Sequence, residues 1–331
     1  MKIILASIAF LSPYTFNRRY LGLGYIHAHA LSDAALRDKI SIDHRYYDFW
    51  AYSHADIAGH ILESSPDLVG FGCYVWNTLH VIEIAARIKA VNPNIKIILG
   101  GPDIRKHYLR ILKENPALDY IAVGEGEETF RELLHALLES KDVSEIAGLA
   151  QRGPKGPVLL RERKYAKNLD IFASPFLAGV MEVDELTKGA FFQTSRGCPC
   201  RCTYCNWGRE TPYAEFSVER VEAEIQYFQS KGAKGLFCVD SNFNQNNKRA
   251  IKILNAMEKH ALKAGVWVET QPNLLDEGFM KAVSRTHLTY VGLGIQTTNP
   301  KAMEHIKRKW KPEKIGKILN GFATFENCYP G

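Results

Sequence analysis

The sequence predicts an α/β protein of two units in series, a doubly wound parallel sheet followed by an incomplete (βα) barrel. Apolar runs of strand length alternate with amphipathic stretches of helical period along most of the 331 residues. Several of the runs end in glycine-containing turns, the place where a parallel sheet opens onto a ligand. Four of the seven cysteines fall between Cys198 and Cys205, directly after one such run.

Residues 1–150 read as five βα repeats. IILASIA (3–9) is a buried strand, 20–37 helix, and 40–48 a second strand with alternating Ile, Tyr and Phe. Helix 54–64 leads into DLVGFGCYVWN (67–77), a central strand by its apolar run. Helix 79–91, strand IKIILGGP (95–102), helix 105–114, strand DYIAVGEGE (119–127) and helix 129–139 complete the unit. Right-handed crossovers then give a doubly wound sheet. Ser12-Pro13-Tyr14, Gly72-Cys73-Tyr74, Gly100-Gly101-Pro102 and Gly124-Glu125-Gly126-Glu127 stand at its strand ends. Glycine there lets backbone approach a bulky ligand, but no G-x-G-x-x-G fingerprint marks a nicotinamide site.

Residues 151–183, with GPKGPVLLRERKY, read as a β-hairpin and extended linker. From 184 a second series begins: strand 190–196, helix 218–231, strand 234–242, helix 247–264, strand 265–273, helix 276–285, strand 290–299 and helix 312–326. Four βα units do not close a barrel, and Asn327 to Gly331 reads as the approach to another strand, so the expectation is a truncated C-terminus.

Composition bounds the chemistry. Hydrophobic content of 46% and charged content of 24% are those of a globular chain, and no apolar run reaches the ~20 residues that span a bilayer. The opening MKIILASIAFLSPYTF has a signal-peptide look, but the α/β alternation continues straight from it and clustered thiols suit a reducing cytosol, so it reads as a first strand. A net charge of +6 without a long basic run gives weak grounds for nucleic acid, and His305 to Lys314 reads as a solvated helix face. Seven cysteines are odd in number, and close neighbours in one loop do not bridge without strain. Cys73 and Cys238 sit on apolar strands and read as small buried hydrophobes, as does the off-spacing Cys200; Cys328 carries no reading. The eleven histidines show no metal-site spacing.

In FFQTSRGCPCRCTYCNWG (191–208), Cys198, Cys202 and Cys205 are separated by three and then two residues. Iron–sulfur clusters are held on short local spacings of this kind, whereas a structural zinc site draws two separated pairs and no second pair exists here. Three thiolates hold three irons of a [4Fe–4S] cluster and leave the fourth open. This loop, directly after a barrel strand, resembles that of the radical S-adenosylmethionine enzymes. GFGCYVWN, ILGGPD and VGEGEETF resemble the Rossmann-like cobalamin-binding domain preceding the radical domain in one subgroup, and VDSNF and GIQTTNP continue the likeness.

The resemblance implies a 1–150 cobalamin-binding domain and a 184–331 TIM-like partial barrel. It implies that the open iron binds S-adenosylmethionine, that one-electron cleavage yields a 5′-deoxyadenosyl radical, and that methylcobalamin methylates an unactivated substrate carbon. The implied partners are a natural-product or peptide substrate and an electron donor such as flavodoxin or ferredoxin in the cytoplasm. By position, Cys198, Cys202 and Cys205 are the cluster ligands, with Tyr204 beside them near adenine. Asp240, Ser241 and Asn242 fall where the methionine moiety is held, Gln296 and Thr297 where the ribose is contacted, and Glu269 on the third strand. Gly100, Gly101, Gly124 and Glu125 match the cobalamin contacts, with Tyr74 near the corrin face. The Asp-x-His-x-x-Gly element of other cobalamin proteins is replaced by LSPYTFNRRYLGLG, so no lower axial ligand is named, and DSN stands for a GGE-type motif. Trp207-Gly208 reads as a rigid turn on the barrel rim. Alternatives are a rearrangement or cyclisation with the same cofactors, a nucleic-acid-binding protein, and a zinc-stabilised module.

Overall fold

The computed structural model describes residues 1–9, 18–207, 211–308, 310–322 and 329–330. Ser12, Pro13, Tyr14, Gly208 and Cys328 lie outside them. Two compact units form, Met1–Tyr165 with Phe172–Met181, and Ala166–Ile171 with Glu182–Gly331.

The first unit is built on β1 (Lys2–Ala9), β2 (Ser41–Asp48), β3 (Leu68–Gly72), β4 (Lys96–Gly100), β5 (Tyr120–Ala122), β6 (Leu149–Gly153) and β7 (Gly156–Val158). They form one seven-stranded sheet in the order β2-β1-β3-β4-β5-β6-β7. The first five pair in parallel, while β6 and β7 add an antiparallel hairpin edge. That hairpin therefore extends the first sheet and is not a free-standing part of a linker. Between the strands lie α1 (Leu21–Ser32), α2 (Ala34–Arg37), α3 (His54–Leu62), α4 (Thr78–Val91), α5 (Tyr108–Glu114) and α6 (Glu127–Leu138).

Side-chain alternation along β1 shows why the sheet is covered twice. Ile4, Ala6 and Ile8 join the core containing Ile57 and Ile61 of α3 and Val81 and Ile84 of α4. Ile3 and Leu5 point the other way, into the core with Leu23 of α1 and Phe130 and Leu133 of α6. A strand apolar on both faces needs helices on both, and each fully buried Ile or Leu contributes roughly 1.5–3 kcal/mol.

The second unit holds β8 (Gly189–Phe192), β9 (Ser195–Arg196), β10 (Ala214–Glu215), β11 (Gly235–Cys238), β12 (Gly265–Thr270), β13 (Leu288–Leu293) and β14 (Tyr329–Pro330). Its parallel sheet runs β14-β13-β12-β11-β8, and β9 and β10 make a separate antiparallel ribbon. The helices are α7 (Val218–Ser230), α8 (Asn247–Lys259), α9 (Glu277–Val283), α10 (Pro300–His305) and α11 (Pro312–Phe322). The approach to another strand expected near 327–331 is realised as β14 beside β13. No helix of the described residues is long and apolar enough to cross a membrane.

Departures from the expected elements have local causes. The helix expected over 20–37 breaks at Asp33, whose side chain accepts from Ala35 N–H at 2.9 Å and caps α2. The strands expected over 67–77 and 119–127 stop at Gly72 and Ala122, where the chain turns toward the next helix. The helix expected to 264 stops at Lys259 because Ala261 takes a left-handed φ of 49°. The short α10, begun by Asn299 as cap and Pro300, falls in a stretch where no helix was expected.

His44, on β2 of the first sheet, is buried, with Nε2 3.0 Å from Ser7 Oγ and Nδ1 unpartnered. Burial, and next the charges of Arg19 and His27, hold its imidazole down at about 3 from the usual 6.5. On acidification the unfolded chain protonates first, so stability is full above about pH 6.5 and falls toward pH 3. At pH 5 the expected loss from this group is about 2 kcal/mol. His44→Gln should lose less stability between pH 7 and pH 5 by about that amount in denaturant titrations.

Candidate functional site

The cysteine loop leaves the first strand of the second sheet, and its base is closed by the β9–β10 ribbon, with Ser195 opposite Glu215 and Arg196 opposite Ala214. Gly197 opens the loop at φ 73°. A Cβ there would lie 2.3 Å from the Pro212 carbonyl oxygen and 2.4 Å from that of Thr211, so only glycine fits where the two limbs cross.

Asp240, expected at the methionine moiety, is buried, and its carboxylate gathers the start of the loop. Oδ1 accepts from Thr194 N–H at 2.7 Å and Ser195 N–H at 3.0 Å, and Oδ2 accepts from the Thr194 and Ser195 hydroxyls at 2.5 and 2.8 Å. Burial pushes this carboxyl up while those four donors pull it back. Arg249 of α8 works from the other side. Its Nη2 donates to the Thr194 and Phe216 carbonyls at 2.9 and 2.7 Å, and Nη1 to Thr194 Oγ1 at 3.1 Å. Sequence reasoning missed Arg249, since an arginine in an amphipathic helix ordinarily faces solvent.

Cys198 and Cys202 are buried and Cys205 half-buried, and all three are free thiols. Cys205 N–H donates to Cys202 O at 3.2 Å, a tight turn between the last two. The Cys200 thiol is not inert filling. It accepts from Gln271 Nε2 and lies 3.8 Å from Gln245 Oε1, and the hydrogen bond with Cys198 is the main cause that lowers it to about 6. Gln271 is set by Asn244, whose Nδ2 donates to Gln271 O at 3.0 Å and whose Oδ1 accepts from Gln271 N–H at 2.8 Å. Among the described residues no three His, Cys, Asp or Glu side chains converge on a point that would hold one metal ion. Thiolates of an iron–sulfur cluster each hold a separate iron, and a loop of free, mostly buried thiols with no disulfide fits that donor set.

The remaining expected residues stand around the loop. Ser241 is half-buried; Asn242 is buried, and its Oδ1 has no partner although Nδ2 donates to Gln245 Oε1 at 2.8 Å. Glu269 is exposed and lies over Gly292, where a Cβ would come within 2.3 Å of its Oε2, and partial desolvation there raises its carboxyl. Gln296 is exposed in a left-handed conformation, φ 64°, and Thr297 N–H donates to Ile295 O at 2.8 Å. Tyr204 and Trp207 are exposed, and the Tyr204 hydroxyl accepts from Arg308 Nη2 at 3.2 Å.

The other expected cluster of residues lies in the first unit, at the carboxyl ends of its strands. Gly101, at φ 119°, passes so close to Cys73 that a Cβ would lie 2.3 Å from its carbonyl oxygen, and Cys73 N–H donates to Gly100 O at 2.7 Å. Gly124 at φ 91° is exposed and Glu125 half-buried. Tyr74 stacks on Trp76 with centroids 4.7 Å apart and meets Tyr20 edge-on. Asn77 fixes this corner. Its Nδ2 donates to Ile8 O and Gly72 O, both at 2.9 Å, and its Oδ1 accepts from Tyr74 N–H at 2.7 Å.

Asp240→Asn exchanges an acceptor for a donor against buried donors, and should cost about 3 kcal/mol of stability. Ser241→Ala next to it should change stability by less than about 0.5 kcal/mol. Denaturant midpoints of the two variants check this.

Family models match stretches of both units. The family model of the B12 binding domain matches residues 28–134, and that of the Radical SAM superfamily matches residues 192–323. The cobalamin-dependent radical SAM methyltransferase TokK of Streptomyces tokunonensis is 30% identical over 74% of this chain and 38% of its own length. The 2-(S-pantetheinyl)-carbapenam-3-carboxylate methyltransferase of Streptantibioticus cattleyicolor is 29% identical over 80% of this chain and 41% of its own. The chain thus spans about two fifths of the length of these curated relatives. The structure of the radical S-adenosylmethionine methyltransferase TsrM from Kitasatospora setae, with cobalamin and a [4Fe–4S] cluster bound, shares the fold. Its TM-score is 0.76 at 18% identity, over 99% of this chain and 65% of that one. A B12-binding fold and a three-cysteine loop on a parallel βα sheet occur in one polypeptide, and the chain belongs to the radical S-adenosylmethionine enzymes that carry a cobalamin-binding domain.

Proposed function

We propose that this chain is the cofactor-binding part of a cobalamin-dependent radical S-adenosylmethionine methyltransferase that acts on an unactivated carbon of a natural product or peptide. The observation that carries the reading is the loop of Cys198, Cys202 and Cys205, three free thiols in the loop after the first strand of a βα series, in a chain that also matches a B12-binding domain. When bound, the [4Fe–4S] cluster with S-adenosylmethionine supplies one-electron radical chemistry, and cobalamin supplies a transferable methyl group.

The residues of the chain divide the work of holding these groups. The three thiolates bind three irons, and Gly197, Asp240 and Arg249 set the path of the loop that presents them. Asn242 Oδ1, buried without a partner, offers an acceptor for the ammonium of a methionine moiety, with Ser241 beside it. Gln296 and Thr297, beyond the end of β13, offer polar groups to a ribose, and the Tyr204 ring offers a face to adenine. Glu269, its carboxyl raised by partial desolvation, is a second titratable group, with Asp240, on the same strand ends. In the first unit Gly100, Gly101 and Gly124 leave backbone open to a corrin, with Glu125 and the Tyr74–Trp76 stack beside them. Electrons would come from a low-potential flavodoxin or ferredoxin in the cytoplasm.

Anaerobic reconstitution should give about four iron and four sulfide per chain, and Cys202→Ala should abolish the cluster. One zinc and no sulfide would instead establish the zinc-stabilised module. With substrate, the full-length enzyme should form a product one methyl heavier and release both S-adenosylhomocysteine and 5′-deoxyadenosine. An unmethylated product with 5′-deoxyadenosine alone would establish rearrangement or cyclisation.

A further inference from the structure

A cation stands beside the cysteine loop that none of the assignments above uses. Arg308 follows α10, and its position is built by several independent contacts. Lys307 takes a left-handed φ of 57°, which turns the chain so that Arg308 N–H donates back to Met303 O at 2.9 Å. Two residues on, the buried Trp310 donates its indole N–H to Ile295 O at 3.1 Å, tying the segment to the end of β13. Gly294 leaves room for the guanidinium, because a Cβ there would lie 3.2 Å from Arg308 Nη2. Nη2 donates to Tyr204 OH at 3.2 Å, Nε is buried without a partner, and no carboxylate pairs with the group among the described residues. Burial opposes the charge and the hydrogen bond to the Tyr204 hydroxyl favours it, and the guanidinium is cationic at any working pH.

We propose that Arg308 is a positioning residue that raises the reduction potential of the cluster held by Cys198, Cys202 and Cys205, by fixing a positive charge beside the Cys200–Cys205 limb of the loop. Reduction takes [4Fe–4S]2+ to [4Fe–4S]+ by one electron from a low-potential carrier, with no bond made or broken and no proton moved. Three thiolates already make the oxidised assembly anionic, so the added electron is repelled by its surroundings unless a cation lies near. In a half-buried site that attraction is weakly screened by salt. The proposal rests on the cluster reading of the cysteine loop.

Redox titration of the reconstituted protein without S-adenosylmethionine, followed by the electron paramagnetic resonance of the reduced cluster, tests it. At a fixed potential Arg308→Gln should lower the reduced-to-oxidised ratio about tenfold, which is about 59 mV for a one-electron couple. Arg308→Lys, which keeps the charge, should stay within about threefold of the parent. An unshifted midpoint in Arg308→Gln with iron and sulfide intact overturns the proposal, and so does loss of the cluster from both variants. Loss from Arg308→Gln alone, with cluster and potential retained in Arg308→Lys, upholds the need for the charge. If the parent takes up no iron and sulfide, the cluster reading fails and this proposal falls with it.

Discussion

The cysteine site depends on the burial of one carboxylate, that of Asp240 at the end of β11. An ionised carboxylate in a protein interior costs several kcal/mol unless its lone pairs are filled, and here four donors from two consecutive residues, Thr194 and Ser195, fill them. The consequence is geometric. β8 and β11 are neighbours in the sheet, and the clamp joins the end of one to the continuation of the other. The chain after Phe192 therefore cannot continue as a straight strand but bends into the β9–β10 ribbon, and the cysteines begin two residues later. Arg249 completes the arrangement by donating to the carbonyls on either side of this bend: that of Thr194, which also accepts from Phe216 N–H at 3.0 Å, and that of Phe216.

The first unit solves the same problem with a neutral side chain. Asn77 donates to the carbonyl of Ile8, next to last in β1, and to that of Gly72, last in β3, and accepts from Tyr74, so one amide ties two strand ends to the turn that carries the aromatic stack. An amide suffices where two carbonyls and one N–H must be satisfied. A carboxylate is needed where every group presented is a donor, as at Thr194 and Ser195. The choice of Asn in one place and Asp in the other follows from that donor count.

These supports mark the limit of what the sequence discloses. Alternation of strands and helices was legible because both faces of β1 are buried and its apolar run is unbroken, and the cysteine loop was legible because ligand spacing is local. Arg249 and Arg308 were not, since each acts on partners far away in the chain, Thr194 and Phe216 for one and Tyr204 for the other, and each looks like an ordinary surface cation in its own helix or turn. Asn244 escaped notice for a related reason: it stands two residues past Asn242 and works only through the backbone of Gln271. The glycines divide similarly. Gly100-Gly101 declared itself as a pair at a strand end, whereas the need for Gly197 comes from the chain at Thr211 and Pro212 crossing it, which spacing does not show.

The sheet of the second unit carries a further constraint on the chemistry. Phe191, Phe237, Trp267 and Tyr290 are register partners on four successive strands, so their rings share one face, and all four are half-buried. The residues that alternate with them, Phe192, Cys238, Val268 and Val291, are buried on the other face. A sheet that buries one side fully and keeps the other aromatic but open has a face able to cover a ligand and keep water from it. Glu269 stands one turn of the pleat beyond Trp267 on that face, opposite Gly292, which has no side chain to crowd it. Glu269 is exposed at the strand end, and partial desolvation against the sheet raises its carboxyl. The polar and apolar parts of this face are thus ordered along the strands, aromatic rings first, then the carboxylate of Glu269, with the cysteine loop leaving β8 at the same carboxyl ends.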